Sequence, residues 1–446
     1  MNTGDTAWVL VSAALVMLMT PGLAFFYGGM VRAKSVLNML MMNFIALGVV
    51  TVLWLLYGYS IAFGNDAFAG LFGNFDSAGF AGTIAQLTGP KDHQIPVLAF
   101  AMFQLMFAVI TPALISGAIA DRTKFWGWVT FLVVWVSIVY FPVAHWVFAF
   151  DAADGSTLGG WLANKVKALD FAGGTAVHIN AGAAGLALAL VLGRRKGWPK
   201  EPMRPHNVPF VLLGASLLWF GWYGFNAGSA LAANDTAAVA FTTTTVATAA
   251  AVLGWLVTEQ VRDGKPTTLG AASGAVAGLV AITPACAFVS PLGGAAIGLI
   301  AGVLCALAVG LKFRFGFDDS LDVVGVHLVG GIVGTLLIGL FGTTSVNSAG
   351  ADGLFYGGGL TQLGRQAIGA FSVLAYSFVV SFVLGWIIKK TIGFRVDTEA
   401  EVTGIDESEH AETAYEFGGF GGGARGTGKL TGVNAGAQTV LEGSKP

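Results

Sequence analysis

Two histidines stand in apolar surroundings, each eight residues after an aspartate. Asp170 and His178 lie in DFAGGTAVHINAG, and Asp319 and His327 lie in DSLDVVGVHLVGG. Imidazole is the side chain whose charge changes closest to neutral pH, so a pair of them suits a proton relay, acid–base work or a metal. A metal would want more ligands. No Cys, Glu or third His stands at helical spacing nearby, and His145 is the one other histidine in an apolar run. The plain alternative is two packing histidines with satisfied hydrogen bonds. An ionisable group deep in a membrane span is costly and usually functional, which favours the relay.

The surroundings are those of a membrane protein. The chain is 55% hydrophobic and 11% charged, against about 25% charged in soluble domains. A net charge of -2 gives no footing for nucleic acid. Cys286 and Cys305 both fall in apolar runs, so no disulfide framework is indicated. The 64 glycines suit close helix packing in a bilayer. Apolar segments of spanning length, about 20 residues, fall at 7–30, 36–63, 95–120, 125–150, 171–193, 207–232, 237–259, 268–290, 292–311, 321–342 and 366–388, eleven in all. The fold class is therefore an all-α polytopic membrane protein. The first span is too long for a signal-peptide core and reads as retained.

Positive charge sets the orientation. Arg32, Lys34, Arg122, Lys124, the cluster from Arg194 to Arg204, Arg262, Lys265, Lys312, Arg314, Lys389, Lys390 and Arg395 fall on one set of loops. Only Lys91, Lys165, Lys167 and Arg365 fall on the other. The richer set is expected in the cytoplasm, with the N-terminus outside and the tail from residue 389 to 446 inside.

Two motifs recur in the same order. AVITPALISG (108–117) echoes VAITPACAFVS (280–290), and the two Asp–His segments echo each other. The matches fall in the third and eighth spans and in the fifth and tenth, so the unit is five helices. Five is odd, so the second copy runs inverted, and such repeats hold their site near the midplane. Repeat one covers about 7–193, repeat two about 207–342, and 366–388 is an extra helix. His178 then sits roughly 12 Å deep from the outer side, His327 similarly from the inner side, and the imidazoles are expected to touch. Asp170 directly precedes its span and suits a helix cap. It also places a negative field at the outer mouth, and Asp319 and Asp322 are its inner counterparts. No basic residue lies within a span, which disfavours an anionic substrate.

Several long motifs now carry a resemblance: PGLAFFYGG (21–29), QLMFAVITPALISG (104–117), DFAGGTAVHINAG, WFGWYGFNAGS (219–229), ITPA (282–285), DVVGVHLVGG (322–331) and, in the tail, GIDESEHAETAY (404–415). The chain resembles the Amt/Rh ammonium transporters over nearly its whole length. The resemblance implies a homotrimer in the cell (inner) membrane, with one narrow pore per subunit and no cofactor. It implies an outer ammonium site at Phe103, Phe107, Phe148 and Ser229, with Asp170 as a structural carboxylate beside it. A gate of Phe107 and Phe225 and the pore histidines His178 and His327 follow. Trp222, Thr283 and Asn226 match further pore-lining positions. Phe148 stands where the family usually has Trp, and Phe is the weaker cation–π partner. Ile405 and Ala411 stand where the family often has Leu and Gly.

Ammonium differs from potassium in that it can shed a proton, and neutral ammonia crosses an apolar pore. That is the mechanism the resemblance implies: recruitment outside, deprotonation, and ammonia conducted past the histidines. An ammonium sensor and a neutral-gas (Rh-like) channel are the alternatives. A membrane enzyme is disfavoured, because the spans hold no nucleophile or metal set. In the tail, the acidic side chains of 404–417 are expected to pair with the basic cytoplasmic loops, above all Arg194, Arg195, Lys196, Lys200 and Arg204, and to dock below the pores, where the family receives a PII-type regulatory protein. Residues 418–446 read as disordered.

Overall fold

Ten helices among the described residues are long and apolar enough to cross a bilayer. The computed structural model describes residues 1–415. The expectations for Phe417 and for 418–446 fall outside them. In chain order the helices are α1 Thr3–Met30, α2 Ala33–Phe63, α3 Val97–Ile119, α4 Phe125–Phe148, α5 Gly174–Leu192, α6 Val208–Ala230, α7 Asp235–Asp263, α8 Thr268–Ile282, α9 Pro291–Phe315, α10 Val324–Phe341 and α11 Thr361–Thr391. The short one is α8. The sequence reading extended it to residue 290, but the helix stops after 15 residues and a turn follows. Pro284 accounts for part of this, since it has no N–H to continue the ladder.

Helix starts follow local chemistry. Asn207, Asn234, Thr267 and Ser290 cap α6, α7, α8 and α9 by accepting from the N–H three residues on, at 2.8–3.1 Å. Small residues set the packing. Along α9, Gly294, Gly298 and Gly302 meet Thr243, Ala247 and Ala251 of α7. A Cβ at Gly298 would stand 2.0 Å from the Ala247 carbonyl oxygen. This is the small-xxx-small spacing that lets apolar helices approach closely in lipid.

Loop contacts sort the bundle into two ends. At one end Asp5 accepts from Ala233 N and meets His93 at 2.8 Å, Trp161 N donates to Gly70 O, and Phe171 N donates to Pro284 O. The other end is basic. There Arg195 makes a two-pronged bond to Asp318, 2.9 Å from each nitrogen to its oxygen, and reaches Asp121 at 3.3 Å. Arg122, wholly buried, donates to Ser320 and to the carbonyl oxygens of Ala118 and Asp318. Burial alone would raise the Asp318 carboxyl, but its hydrogen bonds to Arg195 and the charges of Arg122 and Arg195 hold it below the usual carboxylate range.

Residues 394–410 pack onto this basic end. Val396 N donates to Arg122 O and Lys124 N to Phe394 O. Two short helices follow, α12 Thr398–Thr403 and α13 Ile405–His410. Their acids do not chiefly meet basic side chains of 194–204, as the sequence reading held. Asp406 accepts from Leu37 N and Asn38 N at 3.0 and 2.8 Å, and Glu409 from Phe125 N at 2.8 Å. Glu401 takes Lys196 N and the Arg395 guanidinium, each at 2.6 Å. The reason is electrostatic: helix starts in α2 and α4 offer unpaired N–H groups and the positive end of the helix dipole.

Candidate functional site

The histidines are set by two matching helix starts. Asp170 accepts from the N–H groups of Gly173, Gly174 and Thr175, each at 2.7 Å, from Ala176 N at 3.3 Å, and from the Thr175 hydroxyl. Asp319 accepts from Val323 N at 3.1 Å and Val324 N at 2.7 Å. After each cap the chain makes a π-helical turn, Gly174–Ile179 in α5 and Val324–Leu328 in α10, and each turn carries one histidine. Such turns are rare and concentrate at functional sites. The two starts lie at opposite ends of the bundle, since Phe171 N bonds Pro284 O and Ser320 N bonds Ala118 O.

From these starts the imidazoles converge. His178 Nδ1 and His327 Nδ1 are 3.4 Å apart, with the rings 5.5 Å between centroids and 24° from parallel. One Nδ1 must therefore carry the shared proton and the other accept it. That leaves one Nε2 protonated and the other bare, so the pair offers a donor at one end and an acceptor at the other. His178 Nε2 is buried with no hydrogen-bond partner among the described residues. Beside the rings is a cavity of about 10 Å³, lined by His178, His327, Trp222, Phe225, Leu114 and Val276 among others. That volume is close to the least that holds one water-sized molecule.

Aromatic rings lead from the pair toward the Asp5 end. Trp222 stacks on His178 at 5.5 Å, and its Nε1 donates to Thr283 Oγ1 at 2.8 Å. Phe225 lies 6.0 Å from His178 and 4.3 Å from Phe107, and Phe107 meets Phe103 edge-on at 4.9 Å. Ser229 Oγ donates to Phe225 O at 2.8 Å. Its neighbour Gly228 packs so tightly on Phe103 that a Cβ there would stand 3.0 Å from the ring.

Other expected residues sit a step away. Phe148 is half-buried at the end of α4. Trp146 faces Trp161 and Tyr376. Asp170 spends its oxygens on the start of α5, which makes it a cap rather than a cation ligand. Thr283 steadies Trp222, and its own hydroxyl donates to Leu279 O at 2.7 Å. Asn226 holds α6 to α7 through Thr244 Oγ1 at 2.9 Å. His145 Nδ1 donates to Ala62 O at 3.1 Å, and its Nε2 lies 3.6 Å from Asp66 Oδ1. Sequence reasoning missed the π turns and the glycines four residues past each histidine. The recurrence of Gly182 and Gly331 in the two repeats was the available signal.

Comparison with known proteins agrees with this architecture. The model of the Ammonium Transporter Family matches residues 7–415. An ammonium transporter of Mycobacterium tuberculosis is 63% identical over 432 residues, covering 93% of this chain and 90% of the relative. One of Bacillus subtilis is 46% identical, covering 93% and 99%. Among solved structures, a protein described as "Sensor Amt Protein" superposes with a TM-score of 0.83 at 28% identity, covering 91% of this chain and 98% of its own. Saccharomyces cerevisiae Mep2 superposes at 0.80 with 35% identity, covering 90% and 88%. A matching family model over nearly the whole chain, together with these relatives, leads to one conclusion: the chain belongs to the ammonium transporter family.

Proposed function

We propose that the chain moves ammonium across the cell membrane through a pore along the run of rings, shedding a proton on the way. Ammonium is drawn from outside to the aromatic faces of Phe103 and Phe107 and the Ser229 hydroxyl, where cation–π attraction replaces part of its water. Phe107 and Phe225 stand across the path and must turn aside to admit it. A hydrated ion finds no substitute for its shell there. Ammonia, neutral after losing its proton, continues past His178 and His327, and the shared proton between the imidazoles gives the released one a route. The chain is not an enzyme in this reading. It assembles as a homotrimer with its N-terminus outside, and a PII-type protein docks at the basic end to close the pore.

One observation carries the proposal: two buried imidazoles with their Nδ1 atoms 3.4 Å apart, directly beyond a pair of phenyl rings in contact at 4.3 Å. Ammonium-evoked currents in proteoliposomes test it. His178→Ala and His327→Ala should each change the current about tenfold or more, the scale of one lost hydrogen bond to the moving species. Wild-type currents in both variants would remove the relay. The likeness to a sensor protein makes nitrogen flux the deciding quantity, because a pure sensor binds ammonium and passes none.

A further inference from the structure

Gly182 and Gly331 each stand four residues after a histidine, one in each repeat. Their surroundings cross over. A Cβ at Gly182 would lie 2.5 Å from Leu328 N, 2.6 Å from Leu328 Cβ and 2.7 Å from Leu328 Cα. Leu328 follows His327 in the same π-helical turn. A Cβ at Gly331 would lie 3.0 Å from Ile179 Cγ1, 3.1 Å from Gly174 O and 3.2 Å from His178 Cβ. Each glycine thus seats the turn that bears the other repeat's histidine.

We infer that Gly182 and Gly331 are positioning residues that set the separation of the two imidazoles, and through it the pore's selectivity, with Gly182 the stricter of the two. This rests on the twin-histidine reading above. The contacts set the size of the effect. At Gly182 a methyl group meets backbone, which cannot turn away. Opening 2.5 Å to an ordinary contact of about 3.5 Å moves the His327 turn by about 1 Å. The imidazole nitrogens, at 3.4 Å, are already near the limit of a hydrogen bond, so a shift of that size breaks it. At Gly331 the nearest atom is the side chain of Ile179, which can turn, and a few tenths of an ångström suffice. Plain close packing makes a different forecast: both alanines would lower stability and leave selectivity untouched.

The test uses the full-length protein with Gly182→Ala, Gly331→Ala and, as a control, Gly48→Ala on α2, where a Cβ meets nothing within 4 Å. Two quantities are read in lipid: the ratio of ammonium to potassium current, and the ¹⁵N imidazole signals of His178 and His327. Gly182→Ala should cut the ratio about tenfold, equivalent to about 1.4 kcal/mol, and displace both signals. Gly331→Ala should shift the signals less and the ratio by under about threefold, and Gly48→Ala should change neither. A Gly182→Ala protein with wild-type ratio and signals overturns the inference, whatever its thermal stability. So does a larger effect at Gly331. If Gly182→Ala does not fold, displaced imidazole signals in folded Gly331→Ala support the inference and unchanged ones overturn it. Wild-type selectivity in His178→Ala would sink the pore reading separately, leaving the positioning claim to be judged on the imidazole signals.

Discussion

Removing the Asp170 carboxylate should unseat His178 and with it both stability and transport. Three backbone N–H groups point at its oxygens at 2.7 Å, and the site is buried. A hydrogen bond to a charged group contributes about 1.5–3 kcal/mol, so three sum to roughly 4.5–9 kcal/mol. Partial relaxation of the first turn brings the expected cost of Asp170→Ala to the lower end, about 4.5 kcal/mol. Asp170→Asn keeps one acceptor oxygen and should lose about half of that, about 2 kcal/mol. Denaturant unfolding in detergent, followed by tryptophan fluorescence, gives the stability order wild type, Asn, Ala. Ammonium flux should fall in the same order, because the helix start and the histidine share one turn. An Asp170→Ala protein as stable and as active as wild type would refute the reasoning. So would a stable but inactive one, since that would make Asp170 a direct ligand of the cation.

Three further outcomes are expected. Phe107→Ala with Phe225→Ala should leave the protein in the membrane and let potassium current through, which a potassium pulse on proteoliposomes measures. Asp406→Ala removes the acceptor for two N–H groups of α2 and should loosen residues 398–410 by about 2 kcal/mol, seen as faster proteolysis there with the spans intact. Asp318 titrates below the usual carboxylate range, so its bond to Arg195 contributes stability that is fully present above the ordinary carboxylate pKa and lost as pH falls through the depressed folded value. Hydrogen exchange at the basic end should therefore stay slow down to about pH 4 and rise only below it, and Asp318→Asn should abolish that step.

Much of the fold could be read from sequence because lipid leaves few choices: runs of apolar residues must be helices. The cap at Asp170 was legible because an aspartate directly precedes an apolar run, and it does hold the start of α5. The matched Asp–His spacing carried the convergence of His178 and His327 with little else to support it. What stayed hidden depends on contacts distant in sequence. The early end of α8 arises at Pro284, whose carbonyl takes Phe171 N from another repeat. The tail's acids found helix starts rather than the basic loop because which N–H groups are unpaired is a property of packing. Thr283 and Asn226 matched family positions yet face a partner side chain, since a motif match carries no direction for a hydroxyl or amide.

The claim that ammonium sheds its proton to the histidine pair meets its most direct test in a solvent isotope comparison. Ammonium currents should be recorded in proteoliposomes in H₂O and in D₂O, for wild type and for His178→Ala. A proton passed along hydrogen bonds between His178 and His327 predicts a clearly smaller wild-type current in D₂O and no isotope dependence in whatever current His178→Ala retains. Equal wild-type currents in the two solvents would mean that the ion crosses whole, and would contradict the account.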